Sequence, residues 1–155
     1  MKNVYLLLGG GKTDMRDRFS AIVNSIDRNG GIGANDLIVA TGFKNETDFY
    51  KELYDEKKLR TQFIAVRSYD TESNALSLKS DLEGADRITV ASGVKHLNRF
   101  KLCLADANID TSNVEFISDG CSDVKYENIL SIIYKFYVGR RLFQLIAYIR
   151  RIIME

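Results

Sequence analysis

The sequence has no proline, no tryptophan, a single histidine and only two cysteines in 155 residues. Without proline, its turns must rely on Gly, Asn, Asp and Ser. Cys103 and Cys121 could form at most one disulfide and have no metal-ligand spacing. With one histidine beside them no zinc site is expected, and a reduced compartment, the cytoplasm, is the plain reading. No apolar run reaches the roughly 18 residues of a spanning helix. The apolar start, residues 4–8, is too short for the core of a signal peptide and lacks a small-residue cleavage site. A net charge of +1 provides no field that would favour a nucleic-acid partner.

What is present is an ordinary globular composition, 45% hydrophobic and 28% charged, which suits one core and one domain over residues 1–155. Residues 4–8 form a continuous apolar run ended by three glycines, the pattern of a strand buried on both faces. A helix to about residue 28 follows, capped by Thr13 or Asp14, with Phe19, Ile22, Val23 and Ile26 turned inward. The alternation then repeats: strand 37–40, helix 46–58, strand 62–66, helix 71–82, strand 87–91, helix 95–107 and strand 113–117. The second helix is expected to turn Phe49, Leu53 and Tyr54 to one side. A long helical stretch runs from about 126 to the end. Five strands alternating with helices predict a three-layer α/β/α sandwich around a mainly parallel, Rossmann-like sheet. In such folds ligands lie outside the carboxyl ends of strands, near a reversal of strand order. Candidate functional residues are therefore those just after each strand.

Gly9, Gly10 and Gly11 follow the first strand. They let backbone approach a ligand, and the helix start behind them suits an anion; a tight turn alone explains them equally well. Two nucleotide motifs nearly match here and fail. The dinucleotide fingerprint has Asp14 where its third glycine belongs, and a phosphate loop ending in Gly11-Lys12-Thr13 has Leu6 where its first belongs. Arg16 and Arg18 stand in the first turns of the helix, against its dipole, which a bound anion would offset. Taken singly, each also reads as a solvated surface arginine. Glu46 opens the second helix, where the dipole favours it, and is placed to face the same crevice. Ser68, Asp70, Thr71, Ser73 and Asn74 follow the third strand with more short polar groups than one N-cap needs, suited to a sugar, a phosphate or a water.

After the fourth strand, Ser92 can cap a helix that carries His96 and Arg99 as i, i+3 neighbours. An imidazole there can exchange a proton near neutral pH, and the guanidinium can grip a phosphate or carboxylate. A lone histidine is more often structural, and position alone does not decide between the two. His96 and Asp70 are the candidate catalytic groups. Gly9, Gly10, Gly11, Arg18, Glu46, Ser68, Thr71, Asn74, Ser92 and Arg99 are the candidate ligand-binding ones. Asp119 and the residues after it form the far rim.

These segments resemble the YdcF/SanA/ElyC family, a bacterial domain of unknown function. Leu8-Gly9-Gly10-Gly11 resembles its glycine turn, and Arg18-Phe19-x-Ala21 is similar to its Arg-Leu-x-Ala segment. Ala40-Thr41-Gly42, followed by Glu46, stands where the family has a Ser-Gly-Gly-like turn and an acid. Ser68-x-Asp70-Thr71-x-x-Asn74-Ala75 is similar to its Ser-x-[Asn/Asp]-Thr-x-x-Asn-Ala signature. Ala91-Ser92-x-x-x-His96-x-x-Arg99 resembles its Thr-Ser-x-x-His-x-x-Arg segment, with one extra residue before His96. The resemblance spans residues 4–117 and implies a Rossmann-like domain associated with bacterial envelope polysaccharides, without defining a reaction. Two features depart from it. Many members carry N-terminal membrane helices and this sequence shows none, and Thr41 and Phe43 replace the serine and second glycine of the second-strand turn.

Residues 134–154 contain Lys135, Arg140, Arg141, Arg150 and Arg151 and no acid, whereas 17 basic and 20 acidic groups precede them. At about 100° per residue, Val138, Leu142, Leu145, Ile146, Ile149, Ile152 and Ile153 form one apolar arc. Arg141 sits at its edge, Arg140, Gln144, Arg150 and Arg151 lie away from it, and Phe143 breaks the pattern. Such a helix, 126–155, can pack on the sheet, pair with a second copy in a homodimer, or lie on an anionic membrane.

The expected function is binding of a phosphorylated or nucleotide-linked small molecule, with hydrolysis or group transfer as the natural chemistry. A non-catalytic domain for a nucleotide or S-adenosylmethionine-like ligand is one alternative. An envelope-associated adaptor working through the basic helix is another. No cofactor or metal is identified by the sequence.

Overall fold

The computed structural model describes residues 1–68 and 71–119 and, beyond these, residues 141, 142, 145, 148, 149 and 152. Asp70 and most of the expected C-terminal helix lie outside the described residues. In chain order the elements are β1 (Asn3–Leu8), α1 (Lys12–Arg28), β2 (Leu37–Gly42), α2 (Lys44–Lys57), β3 (Gln62–Arg67), α3 (Thr71–Leu82), β4 (Arg87–Ser92), α4 (Val94–Asp106) and β5 (Val114–Ser118). The strands pair in the order β3-β2-β1-β4-β5, every pair parallel. The expected α/β sandwich with a parallel, Rossmann-like sheet is what these residues form.

The apolar run of β1 explains its central place. Val4, Leu6 and Leu8 enter one core with Leu78, Leu97, Phe100 and Leu104 from α3 and α4. Tyr5 and Leu7 enter the other, with Phe19, Ile22, Ile26 and Tyr50 from α1 and α2. A strand with both faces covered has no polar alternation to show. The edge strands β3 and β5 are only partly buried, as their mixed sequences allow. On α2 the fully buried aromatic is Tyr50, while Phe49 and Tyr54 sit at the margin of the core. Leu53 is buried on that side as expected, so the inward face of α2 is the expected one with Tyr50 added inside it.

The helix starts also differ from expectation. The N-caps of α1 and α4 are Gly11 and Gly93, with no side-chain cap bond, so neither Thr13, Asp14 nor Ser92 caps a helix. The reason is the brevity of the turns. Helix begins within a few residues of the strand end, so Thr13 and Asp14 already lie in the first turn and Ser92 still belongs to the strand.

From β1 the chain steps outward through β2 to β3, then crosses back to β4 on the other side of β1. The reversal of strand order falls between β1 and β4. Leu7 pairs with Ala91, so the turns after these two strands leave the sheet side by side.

Candidate functional site

Three helices begin at the carboxyl edge around this reversal, and they handle their N-termini differently. On α2, Glu46 turns back and its Oε2 accepts the Phe43 amide at 2.7 Å, the carboxylate half of a capping box. The same carboxylate also accepts from the Gly10 amide. A Cβ on Gly9 would stand 2.3 Å from Glu46 Oε2, and so would one on Gly42. The two glycine turns form a cradle that this carboxylate fills. Burial pushes the Glu46 carboxyl up from its ordinary range, while the two amides and the Arg18 charge pull it down.

Arg18 projects from α1 into the end of β1. Its Nη1 donates to the Leu8 carbonyl at 2.9 Å and the Gly9 carbonyl at 2.6 Å, and its Nε donates to Asp119 Oδ2 at 2.9 Å. Arg18 is 6% exposed and the Asp119 side chain is wholly buried. A Cβ on Gly10 would meet Arg18 Nη1 at 2.6 Å, so the middle glycine makes room for the guanidinium. The compensation expected from a ligand anion is supplied to Arg18 by Asp119. Tyr50 completes the cluster, donating its hydroxyl to the Leu8 carbonyl at 2.7 Å. Burial raises the phenol well above its usual range, so it stays protonated.

Across the reversal, the Ser92 hydroxyl and His96 Nδ1 lie 3.0 Å apart. Burial, then the positive charges of Arg99 and Arg18, lower the His96 pKa to about 3. The ring is therefore neutral at neutral pH and does not titrate there as its ordinary value suggests. A neutral ring that accepts the Ser92 proton at Nδ1 carries its own proton on Nε2. Arg99 is partly buried beside it on α4. The first turn of α4 contains no acid.

Ser68 and Asn74 are both buried and hydrogen-bonded to each other. The Ser68 amide donates to the Gly42 carbonyl at 3.1 Å, which ties the pair to the cradle from the edge strand β3. Thr71 is the first residue of α3. Asp70, the second expected catalytic residue, lies outside the described residues. The structure thus gathers Gly9, Gly10, Arg18 and Glu46 at the end of β1, with Gly11 as the N-cap of α1. It sets Ser92, His96 and Arg99 at the end of the neighbouring β4 and the start of α4, and places Ser68 and Asn74 two strands away from β1.

Tyr50 is a site residue that the pattern of strand ends does not reveal. Its signal is helical spacing, one turn after Glu46 on the inward face of α2. At the rim, Lys12 Nζ and the Arg16 guanidinium each lie 5.8 Å from the centre of the Phe49 ring. Among the described residues no group of three or more His, Cys, Asp or Glu could hold a metal ion. No helix among them is long and apolar enough to cross a membrane. No protein-family model matches the chain, and no curated protein matches it.

Proposed function

We propose that the crevice between β1 and β4 binds a phosphorylated or nucleotide-linked small molecule. The observation that carries this reading is the pair of helix N-termini, α1 and α4, that begin on either side of the strand-order reversal without a side-chain cap. First-turn amides have no intrahelical acceptor, and the dipole adds positive charge. An anion there is held as phosphate is held in other parallel-sheet folds. Glu46 already occupies the Gly10 amide, so the ligand's charge falls to the first turns of the two helices and to Arg99. His96, neutral and hydrogen-bonded to Ser92, stands at the start of α4, where its imidazole can move a proton in hydrolysis or group transfer. The motif resemblance to the YdcF/SanA/ElyC family points to an envelope saccharide precursor as substrate.

A second reading, a binding domain without turnover, draws support from the same imidazole. A ring that protonates only near pH 3 is a weak base in the unliganded protein. Calorimetry on the full chain with UDP-glucose, ATP and inorganic pyrophosphate separates the readings. Binding in wild type, weakened at least tenfold in Arg99→Ala, is expected. Release of phosphate or nucleotide that stops in His96→Gln identifies the enzyme, and binding without release identifies the binding domain. No binding of any of the three at millimolar concentration, or equal binding by Arg99→Ala, overturns the proposal.

A further inference from the structure

Among the described residues, the large apolar side chains that stand well exposed are Met1, Leu76 and Val94, and five from one stretch: Leu142, Leu145, Tyr148, Ile149 and Ile152. These five range from 46% to 63% exposed, and all are helical, as is the exposed Arg141. At helical spacing Leu142, Leu145, Ile149 and Ile152 fall within an arc of about 80°, with Arg141 and Tyr148 along one edge. An apolar stripe alone says only that something covers it. The charge around this one says what. The surrounding sequence, 134–154, has five cations and no acid. Two copies joined along this stripe would gather ten cations with no acid among them. A bilayer containing anionic lipid supplies both the opposite charge and an apolar layer at the matching depth.

We propose that this C-terminal segment docks the protein on the surface of anionic lipid bilayers. Leu142, Leu145, Ile149 and Ile152 enter the acyl boundary, Tyr148 lies at headgroup level, Arg141 at the edge of the stripe meets the lipid phosphates, and the remaining positive charge of 134–154 adds attraction to the anionic surface. This surface is independent of the crevice, and neither proposal needs the other.

Flotation of the full chain with vesicles tests it. Vesicles of phosphatidylcholine mixed with phosphatidylglycerol should carry the protein, phosphatidylcholine alone should not, and high salt should release it. Leu145→Glu with Ile149→Glu should abolish flotation while circular dichroism and thermal unfolding stay unchanged, because both side chains are exposed. Arg150→Gln with Arg151→Gln should lower partitioning roughly 30-fold, at about one charge's worth of surface attraction per arginine. Absence of wild-type flotation, or equal flotation with both lipid compositions, overturns the proposal. So does a wild-type dimer that ignores vesicles and that the Leu145→Glu, Ile149→Glu change makes monomeric; a second copy then covers the stripe.

Discussion

Asp36 at the amino edge of the sheet and Asp119 at the carboxyl edge both bury a carboxylate, but in different company. Asp36 accepts from the Asn3 amide at 2.9 Å, the Asn3 side chain at 3.0 Å and the Gly33 amide at 2.7 Å, all neutral donors that pin loops. Asp119 faces a buried cation, and around that pair stand a phenol and a carboxyl whose pKa values are raised and an imidazole whose pKa is lowered. The amino edge also holds a cleft of about 240 Å³ between the C-terminal ends of α3 and α4, but its lining contains no such set. That cleft and the buried ion-pair cluster thus stand at opposite edges of the sheet. Burying charge costs free energy, and perturbed groups gather where a site uses them. The proposed site is placed at the carboxyl edge because the buried ion pair and the three shifted groups around it stand together there.

Substitutions on the two edges can break this comparison. The largest effect is expected for Arg18→Met, which removes the buried cation beside the Asp119 carboxylate: a loss of about 3–5 kcal/mol in urea denaturation. A loss under about 1 kcal/mol would show that the pair is solvated like a surface one. Gly42→Ala follows. With φ at 145° and Glu46 Oε2 2.3 Å from the new Cβ, it should cost about 1–3 kcal/mol. Gly84→Ala at the amino edge, with φ at 70° and open space, carries only the backbone part of that strain.

Acid titration gives the next effect. Above about pH 6.5 His96 is neutral in both the folded and the unfolded chain. Below it the unfolded chain binds a proton that the fold refuses until about pH 3. Stability should therefore fall as pH falls through that window, by at most about 1.4 kcal/mol per pH unit from this group. His96→Gln should flatten that part of the profile. Tyr50→Phe should cost about 1 kcal/mol, since Arg18 still serves the Leu8 carbonyl. The smallest effect, under about 1 kcal/mol, is expected for Arg87→Ala, whose 2.7 Å pair with Glu115 at the amino edge is about 40% exposed.

The strands and helices were readable because each obeys one period: VYLLL as a strand buried on both faces, Phe19, Ile22, Val23 and Ile26 as a helix face. The site was readable only as positions after strands. That His96, Arg99 and the glycine turn share one edge follows from parallel connectivity. Three features needed coordinates. Glu46 fills the glycine cradle, Arg18 is neutralised across 101 residues by Asp119, and the imidazole is held neutral. Each depends on long-range side-chain geometry, which no local pattern encodes. The caps at Thr13, Asp14 and Ser92 failed for a local reason, because glycine-containing turns this short let the backbone start a helix unaided.

The most direct test of an anion site at the strand-order reversal uses the sole imidazole of the chain, whose NMR signals need no assignment among histidines. Adding UDP-glucose or pyrophosphate at millimolar concentration should shift the His96 ring resonances and raise the pH at which the ring protonates, and Arg99→Ala should suppress both changes. Ring signals unmoved in the wild-type protein by either compound, or by ATP, would contradict the account.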